Sequence, residues 1–325
     1  VVGPNASGKT NLLESVLLIC GSNSFRAQLG DVVKNNHDWF RIEANFGNIT
    51  RSLGVDISGD ALKKKYTIND TARQRLRFED ILPTVIFEPE NMRMLTGSPE
   101  LRREFLDEIL SIIDPIFGQT KKQYIRVLAQ RNKLLKMGQK QANTQMFVWN
   151  IRLSELAGYM VEARIKLIDE LNSQLSQIYS EIAGHNTTAS IKYQSNININ
   201  NYETNLMHKL EQNLELDALR GFTGYGPHRD DFNISLKGAQ AKTTASRGET
   251  RTLVLSLKLL QVQFVKQKRS TAPIILLDDV FSELDGFRRK ALTSYLHDNQ
   301  TIITTTDADI IAKDFAQHTN TIMLS

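Results

Sequence analysis

Val1-Val2-Gly3-Pro4-Asn5-Ala6-Ser7-Gly8-Lys9-Thr10 is the stretch on which the fold turns. Gly3 and Gly8-Lys9-Thr10 stand at the G-x-x-x-x-G-K-T spacing of a phosphate loop, which joins a buried strand to a helix. Valines precede the loop, and Asn11-Leu12-Leu13-Glu14-Ser15-Val16-Leu17-Leu18 follows it with apolar residues at helical spacing and no proline. Glycines let successive backbone N–H groups converge on phosphate oxygens, and the helix N-terminus adds positive potential. In such a loop Lys9 reaches the β- and γ-phosphates of ATP, Thr10 offers its hydroxyl to Mg²⁺, and Pro4, Asn5, Ala6 and Ser7 complete the cradle. A chance match is the competing reading, and the flanking strand and helix signals argue against it.

The partner motif lies far downstream. Pro273 introduces Ile274-Ile275-Leu276-Leu277, a short aliphatic run of the kind that fills a central parallel strand, and Asp278-Asp279 follow. Carboxylates at the C-terminal end of such a strand are placed to hold a phosphate-bound Mg²⁺ and to polarise water, so Asp278 is read as the metal ligand and Asp279 as the water-activating group. Lys9 and Asp278 are 269 positions apart, which requires a large insertion between the two motifs.

Upstream of the acidic strand, Ser246-Arg247-Gly248-Glu249-Thr250-Arg251 leads into a long aliphatic helix pattern. The segment resembles the signature motif of ABC-type ATPases, in which Ser246 and Gly248 would meet the γ-phosphate of a nucleotide held by a second subunit. The plain alternative is a helix cap closing a mobile loop over 238–245. Ser282-Glu283-Leu284-Asp285 resembles the loop that lines the dimer interface of that class, and Thr301–Thr306 reads as a last strand ending at Asp307, where many relatives carry a histidine.

Together these residues resemble the RecF family of bacterial recombination proteins, relatives of the SMC-type ATPases. Three further blocks carry the likeness: 89–107, with Arg102 and Arg103; 276–285, followed by Arg288 and Leu292; and Gly226-Pro227-His228-Arg229-Asp230-Asp231. A protein-kinase reading of His228-Arg229-Asp230 fails because no Asp-Phe-Gly follows. Arg102 and Arg103 are left between phosphate contact and plain exposure, and the residues 228–231 have no role assigned. The resemblance implies an α/β, ABC-type P-loop ATPase head with an inserted α-helical arm domain. It implies an ATP-dependent homodimer that clamps duplex or gapped DNA and helps load recombinase, with RecO and RecR as partners. Departures from the family pattern are Ala6 for a loop glycine, tolerable only at negative φ, and Arg247 for a common glutamine. The strands that precede the loop in the family are absent, so the chain is expected to be a fragment.

Composition fits this reading. The chain has 325 residues, 41% hydrophobic, enough for a sizeable core in about two domains, and no apolar run approaches the roughly 18 residues of a membrane helix. One cysteine, Cys20, rules out an internal disulfide and suits a cytoplasmic location. The net charge of +4 is unevenly spread: residues 115–154 carry eight Lys and Arg and no acid, which leaves −4 for the rest.

Within that segment Lys122, Arg126, Lys133 and Lys136 share one face of a helix whose opposite side holds Tyr124, Val127, Leu128, Leu134 and Leu135, with Gly138 as C-cap. A second helix from about 145 to 182 would complete an antiparallel arm. A cationic stripe free of acid suits a DNA backbone held without base readout, although a solvated face explains such stripes in most proteins. Lys63-Lys64-Lys65-Tyr66, with Arg73, Arg75 and Arg77, is a second basic patch, and Asn69-Asp70 marks a hairpin whose lysines could only guard an edge. The expected division is 1–110 and 221–325 for the two parts of the head and 111–220 for the arm. Two rivals remain: a non-catalytic, ATP-switched DNA-structural protein, and a transporter ATP subunit, which has no need of so long an arm.

Overall fold

In the computed structural model of the chain, the run Ile274–Leu277 forms the middle of a three-stranded parallel sheet, as its aliphatic content requires. The structure describes all residues except Arg26, Gly138, Ser270, Ser282, Glu283, 307–319 and Ser325, and describes no side chains over 139–144. The expectations for Gly138, for Ser282-Glu283 and for Asp307 therefore lie outside the described residues.

From the N-terminus come α1 (Lys9–Ile19), β1 (Trp39–Phe46), β2 (Ile49–Asp56), β3 (Lys63–Ile68), β4 (Thr71–Arg73) and β5 (Thr84–Phe87). Then follow α2 (Arg93–Thr96), α3 (Pro99–Ile113), α4 (Pro115–Lys136), α5 (Gln139–Ala183), β6 (Ala189–Gln194), α6 (Tyr202–Gln212) and α7 (Leu214–Arg220). Next are β7 (Asp231–Leu236), β8 (Ala239–Gln240), α8 (Ala241–Thr244), α9 (Arg247–Lys268), β9 (Ile274–Asp278), α10 (Gly286–Leu296) and β10 (Thr301–Thr304).

Two compact units result: 1–89 with 269–325, and 90–268. The sequence reading set bounds at 110/111 and 220/221. In the structure α3 is tied to β7 through Arg102 and Asp231 and to α5 through Asp107 and Arg164, which draws the flanking segments in with the long helices.

In the first unit the parallel sheet has the order β10-β9-β5, and Val2 adds parallel bridges to Thr305 and Met323. Leu13 and Leu17 of α1 pack on Ile86 and Leu276 of this sheet. The C-terminal end of α1, Leu18-Ile19-Cys20, packs instead under the antiparallel sheet β1-β2-β3-β4 against Leu53, Val55 and Tyr66. One helix thus fixes both sheets relative to the phosphate loop. Cys20 is buried in that core, and its burial pushes the thiol up to about 12, which keeps it inert. Asn69 and Asp70 both take positive φ at the two-residue turn between β3 and β4, the hairpin geometry their residue types favour.

In the second unit α4 and α5 run antiparallel, with pairs Asp114–Tyr159, Gln123–Arg152 and Arg131–Asn150 marking the register. Asp114 caps α4 by accepting from the Ile116 N–H at 2.8 Å, with Pro115 in the first turn. Pro99 likewise starts α3, but Ser98 makes no capping bond with its side chain. The antiparallel sheet β6-β7-β8 turns at Lys237-Gly238, both at positive φ. The segment 238–245, read from sequence as a loop, contains β8 and α8.

Candidate nucleotide site and helical arm

Gly3 can only be glycine, since a Cβ there would stand 2.6 Å from Ser7 Oγ and 2.7 Å from Leu324 O. Gly8 takes φ 94° at the start of α1, and no side chain caps the first-turn amides of that helix, which also carries no acid there. Such bare amides are what an anion needs. Ala6 corrects the expectation of negative φ: it sits at +67°, in the left-handed region that costs an L-residue about 1–2 kcal/mol. Lys9 is buried and donates to the carbonyls of Gly3 (2.7 Å) and Pro4 (2.8 Å), lying back across its own loop.

Thr10 and the acidic strand meet. Thr10 Oγ1 donates to Asp278 at 3.1–3.2 Å, and Thr304 Oγ1 donates to Asp278 Oδ1 at 2.7 Å. The sequence reading missed Thr304, although it lies at the end of β10 in parallel register with Asp278. Asp279 follows β9 in a left-handed turn, φ 52°, with its N–H donating to the Thr304 carbonyl at 3.2 Å. Among the described residues no cluster of three His, Cys, Asp or Glu could hold a metal. One hydroxyl and one carboxylate beside an open amide cradle fit Mg²⁺, which takes few protein ligands and completes its shell with phosphate and water. Asp285 is the N-cap of α10: it accepts from the Arg288 N–H at 2.9 Å and pairs with the Arg288 guanidinium, and the backbone bond chiefly holds its pKa down.

In the second unit Ser246 and Glu249 form a reciprocal cap at the start of α9. The Ser246 N–H donates to Glu249 Oε2 at 2.9 Å and the Glu249 N–H donates to Ser246 Oγ at 3.2 Å. Lys237 donates to Glu249 at 2.8 Å, and this bond, with the Ser246 bonds, lowers the Glu249 carboxyl to about 2. Ser246 Oγ thus accepts from the Glu249 N–H, and its hydroxyl also bonds the Glu249 carboxylate, one of the contacts that hold that pKa down. Gly248 lies in the first turn of the same helix.

Lys122, Arg126, Lys133 and Lys136 are all exposed along α4, while Tyr124, Val127 and Leu135 are buried. Not every cation of the segment faces water. Arg131 is 0% exposed and donates to Asp217 (2.8 Å), Thr223 (2.7 Å) and Asn150 (2.8 Å). Lys121 pairs with Asp107 at 3.0 Å.

The residues 226–231 are held by long-range hydrogen bonds. Arg102 is buried and grips Asp231 through two bonds, so it is not left for phosphate or solvent, while the half-buried Arg103 donates to the Asp230 carbonyl at 2.8 Å through one nitrogen of its guanidinium. The Asp230 carboxylate accepts from Ser195, Tyr193 and Tyr202 at 2.6, 2.9 and 2.9 Å; burial raises its pKa against the pull of these three hydroxyls. Arg164 holds Asp107 bidentately and donates to the Pro227 carbonyl at 2.8 Å. His228 Nε2 faces the Thr223 carbonyl at 3.2 Å, which assigns it the proton and leaves Nδ1 to accept from Tyr124 at 2.6 Å. Burial lowers the His228 pKa to about 4.

The family model for the RecF/RecN/SMC N-terminal domain matches residues 1–323. A DNA replication and repair protein RecF of Halothermothrix orenii is 34% identical over an alignment of 319 residues that covers 94% of this chain and 85% of that protein. RecF of Staphylococcus epidermidis is 33% identical over an alignment of 322 residues that covers 95% of this chain and 87% of that protein. Two solved structures of the recombination mediator protein RecF in the RecFOR pathway, described as RecF-ATPrS and RecF-ATP, align with TM-score 0.83 at 29% identity. They cover 95% and 94% of this chain and 86% and 85% of theirs. With the phosphate loop and the acidic strand brought together as in a P-loop head, the chain belongs to the RecF family of DNA replication and repair proteins.

Proposed function

We propose that this chain binds ATP and Mg²⁺ and acts as a slowly hydrolysing, ATP-dependent DNA-binding protein of recombinational repair and replication. The observation that carries the reading is the 3.1 Å approach of Thr10 to Asp278 beside the uncapped start of α1. The relatives described with ATP and with the RecFOR pathway support the same ligand here, and RecO and RecR as partners. On nucleotide binding Lys9 exchanges the Gly3 and Pro4 carbonyls for phosphate oxygens, and the amides of 8–10 hold the chain of phosphates. Thr10 and Asp278 would hold Mg²⁺, which when bound offsets phosphate charge. Asp279 orients the attacking water. Ser246 and Gly248 of a second copy donate to the γ-phosphate, with Asp285 at the same interface, so that ATP brings two copies together head to head. The closed pair holds duplex DNA at gaps against the α4 stripe and helps load recombinase in the cytoplasm.

Sedimentation velocity tests the dimer: the mass should double with ATP and Mg²⁺, and an unchanged mass overturns it. A second reading, an ATP switch without hydrolysis, is favoured by the short Asp279 side chain, one methylene less than the glutamate usual in ABC ATPases. DNA-stimulated phosphate release that is lost in Asp279→Ala selects the enzyme, and no release from the parent chain selects the switch.

A further inference from the structure

The antiparallel sheet of the first unit has an outer face that the nucleotide site does not use. Along β1, Phe40, Ile42, Ala44 and Phe46 turn to the core, and the intervening Trp39, Arg41 and Glu43 turn outward. Cross-strand register sets Asp56 and Lys63 in line with Trp39, and Gly54 and Lys65 in line with Arg41. Because Gly54 has no side chain, the face is hollowed between Arg41 and Lys65, in a depression of about 710 Å³ bordered by Trp39. Trp39 is 63% exposed, and both lysines are exposed.

The two rows hold three cations and one carboxylate. That carboxylate, Asp56, is already engaged by the N–H (2.8 Å) and hydroxyl (2.6 Å) of Ser58, while Arg41 is steadied by Glu43 at 2.5 Å. Edge protection accounts for part of this: β4 pairs only with Tyr66–Ile68, so the lysine half of β3 has an open side, and lysines discourage pairing there. Charge alone suffices for that purpose. It gives no reason for a bare indole two strands away, across a glycine-floored hollow.

An exposed ring flanked by cations on a sheet face supplies what a single strand requires, a π-face for an unstacked base and positive groups for the adjoining phosphates. A duplex keeps its bases stacked and out of reach of such a ring. We propose that this sheet face binds single-stranded nucleic acid, with a base on Trp39 and the backbone on Arg41, Lys63 and Lys65. The inference rests on the nucleic-acid reading above but on residues separate from the α4 stripe.

Trp149 is the only other tryptophan, so Trp149→Phe leaves Trp39 as the sole indole reporter. Without ATP, a short oligothymidylate should quench its fluorescence saturably, and the quench should vanish in a Trp39→Phe chain that keeps Trp149. Trp39→Ala should weaken oligothymidylate binding roughly tenfold or more. Arg41, Lys63 and Lys65 changed together to Gln should flatten the salt dependence by about two units of slope. Absence of quenching overturns the site, and so does equal quenching by duplex DNA or by polyglutamate. Changing Lys122, Arg126, Lys133 and Lys136 to Glu should leave the quench in place. If that arm variant abolishes it, the sheet is not a site of its own; if the quench persists while the dimer fails, only the ATP reading falls.

Discussion

Arg102 and Asp231 are joined by two parallel bonds, Nε to Oδ1 at 2.7 Å and Nη2 to Oδ2 at 2.9 Å, across 129 positions of sequence. The third guanidinium nitrogen donates to the Met94 and Gly97 carbonyls, both at 3.1 Å, so every nitrogen of the fork is used. Arg102→Ala should cost about 3–5 kcal/mol, because it strands a carboxylate in a largely enclosed site. Arg102→Lys should recover only a fraction, since an ammonium cannot form the fork. Urea unfolding of the three chains measures both effects.

Ala6 occupies a left-handed backbone position at φ 67°. Ala6→Gly removes the Cβ conflict and should raise stability by about 0.5–1 kcal/mol, less than the full left-handed penalty because glycine also gains freedom in the unfolded chain. An unchanged or lower urea midpoint contradicts the assigned backbone.

His228 provides a pH signature. Its pKa is lowered by burial to about 4, so the unfolded chain, with the histidine near 6.5, binds the proton first. The stabilisation is complete above about pH 6.5 and is lost as pH falls towards about 4, by no more than about 3 kcal/mol. Comparing urea midpoints of the parent and His228→Gln across that window isolates the effect. The parent should fall more steeply; parallel curves remove His228 as the source.

Ser246 has two roles that substitution can separate. Ser246→Ala deletes the cap and should cost about 1 kcal/mol of stability. Ser246→Asp is still a good cap, so stability should hold, but it sets a carboxylate against the incoming γ-phosphate. ATP-dependent doubling of mass should then disappear, and a dimer that survives Ser246→Asp removes the serine from the interface.

For the arm, the joint change of Lys122, Arg126, Lys133 and Lys136 to Glu should weaken duplex binding and flatten its salt dependence by about 3–4 units of slope. Titrations at several salt concentrations decide it. Unchanged binding returns the stripe to the solvent.

The loop and the acidic strand were legible because short-range spacing encodes them: glycines at fixed offsets, and an aliphatic strand that ends in Asp278. Thr10 and Asp278 meet because a parallel sheet aligns its strand ends. Residues 226–231 could not be read in the same way. Their partners Arg102, Tyr124, Arg164, Tyr193 and Tyr202 come from five separate elements, and no local pattern announces such long-range pairs. Arg131 did carry a signal that went unused. It lies four residues after Val127 and four before Leu135, on the apolar side of α4, so it was never part of the cationic stripe. Ala6 taught the opposite lesson, since residue type argued for negative φ and the loop's closure overrode it.

Asp279 leaves β9 with φ 52°. Aspartate and asparagine enter that conformation more readily than longer acids, because their short polar side chains can bond locally. The backbone therefore favours a short acid over a long one at this position. The missing methylene suits the bend, and in the proposed reaction the distance that a glutamate covers in other ABC ATPases is made up by where the main chain carries the carboxylate.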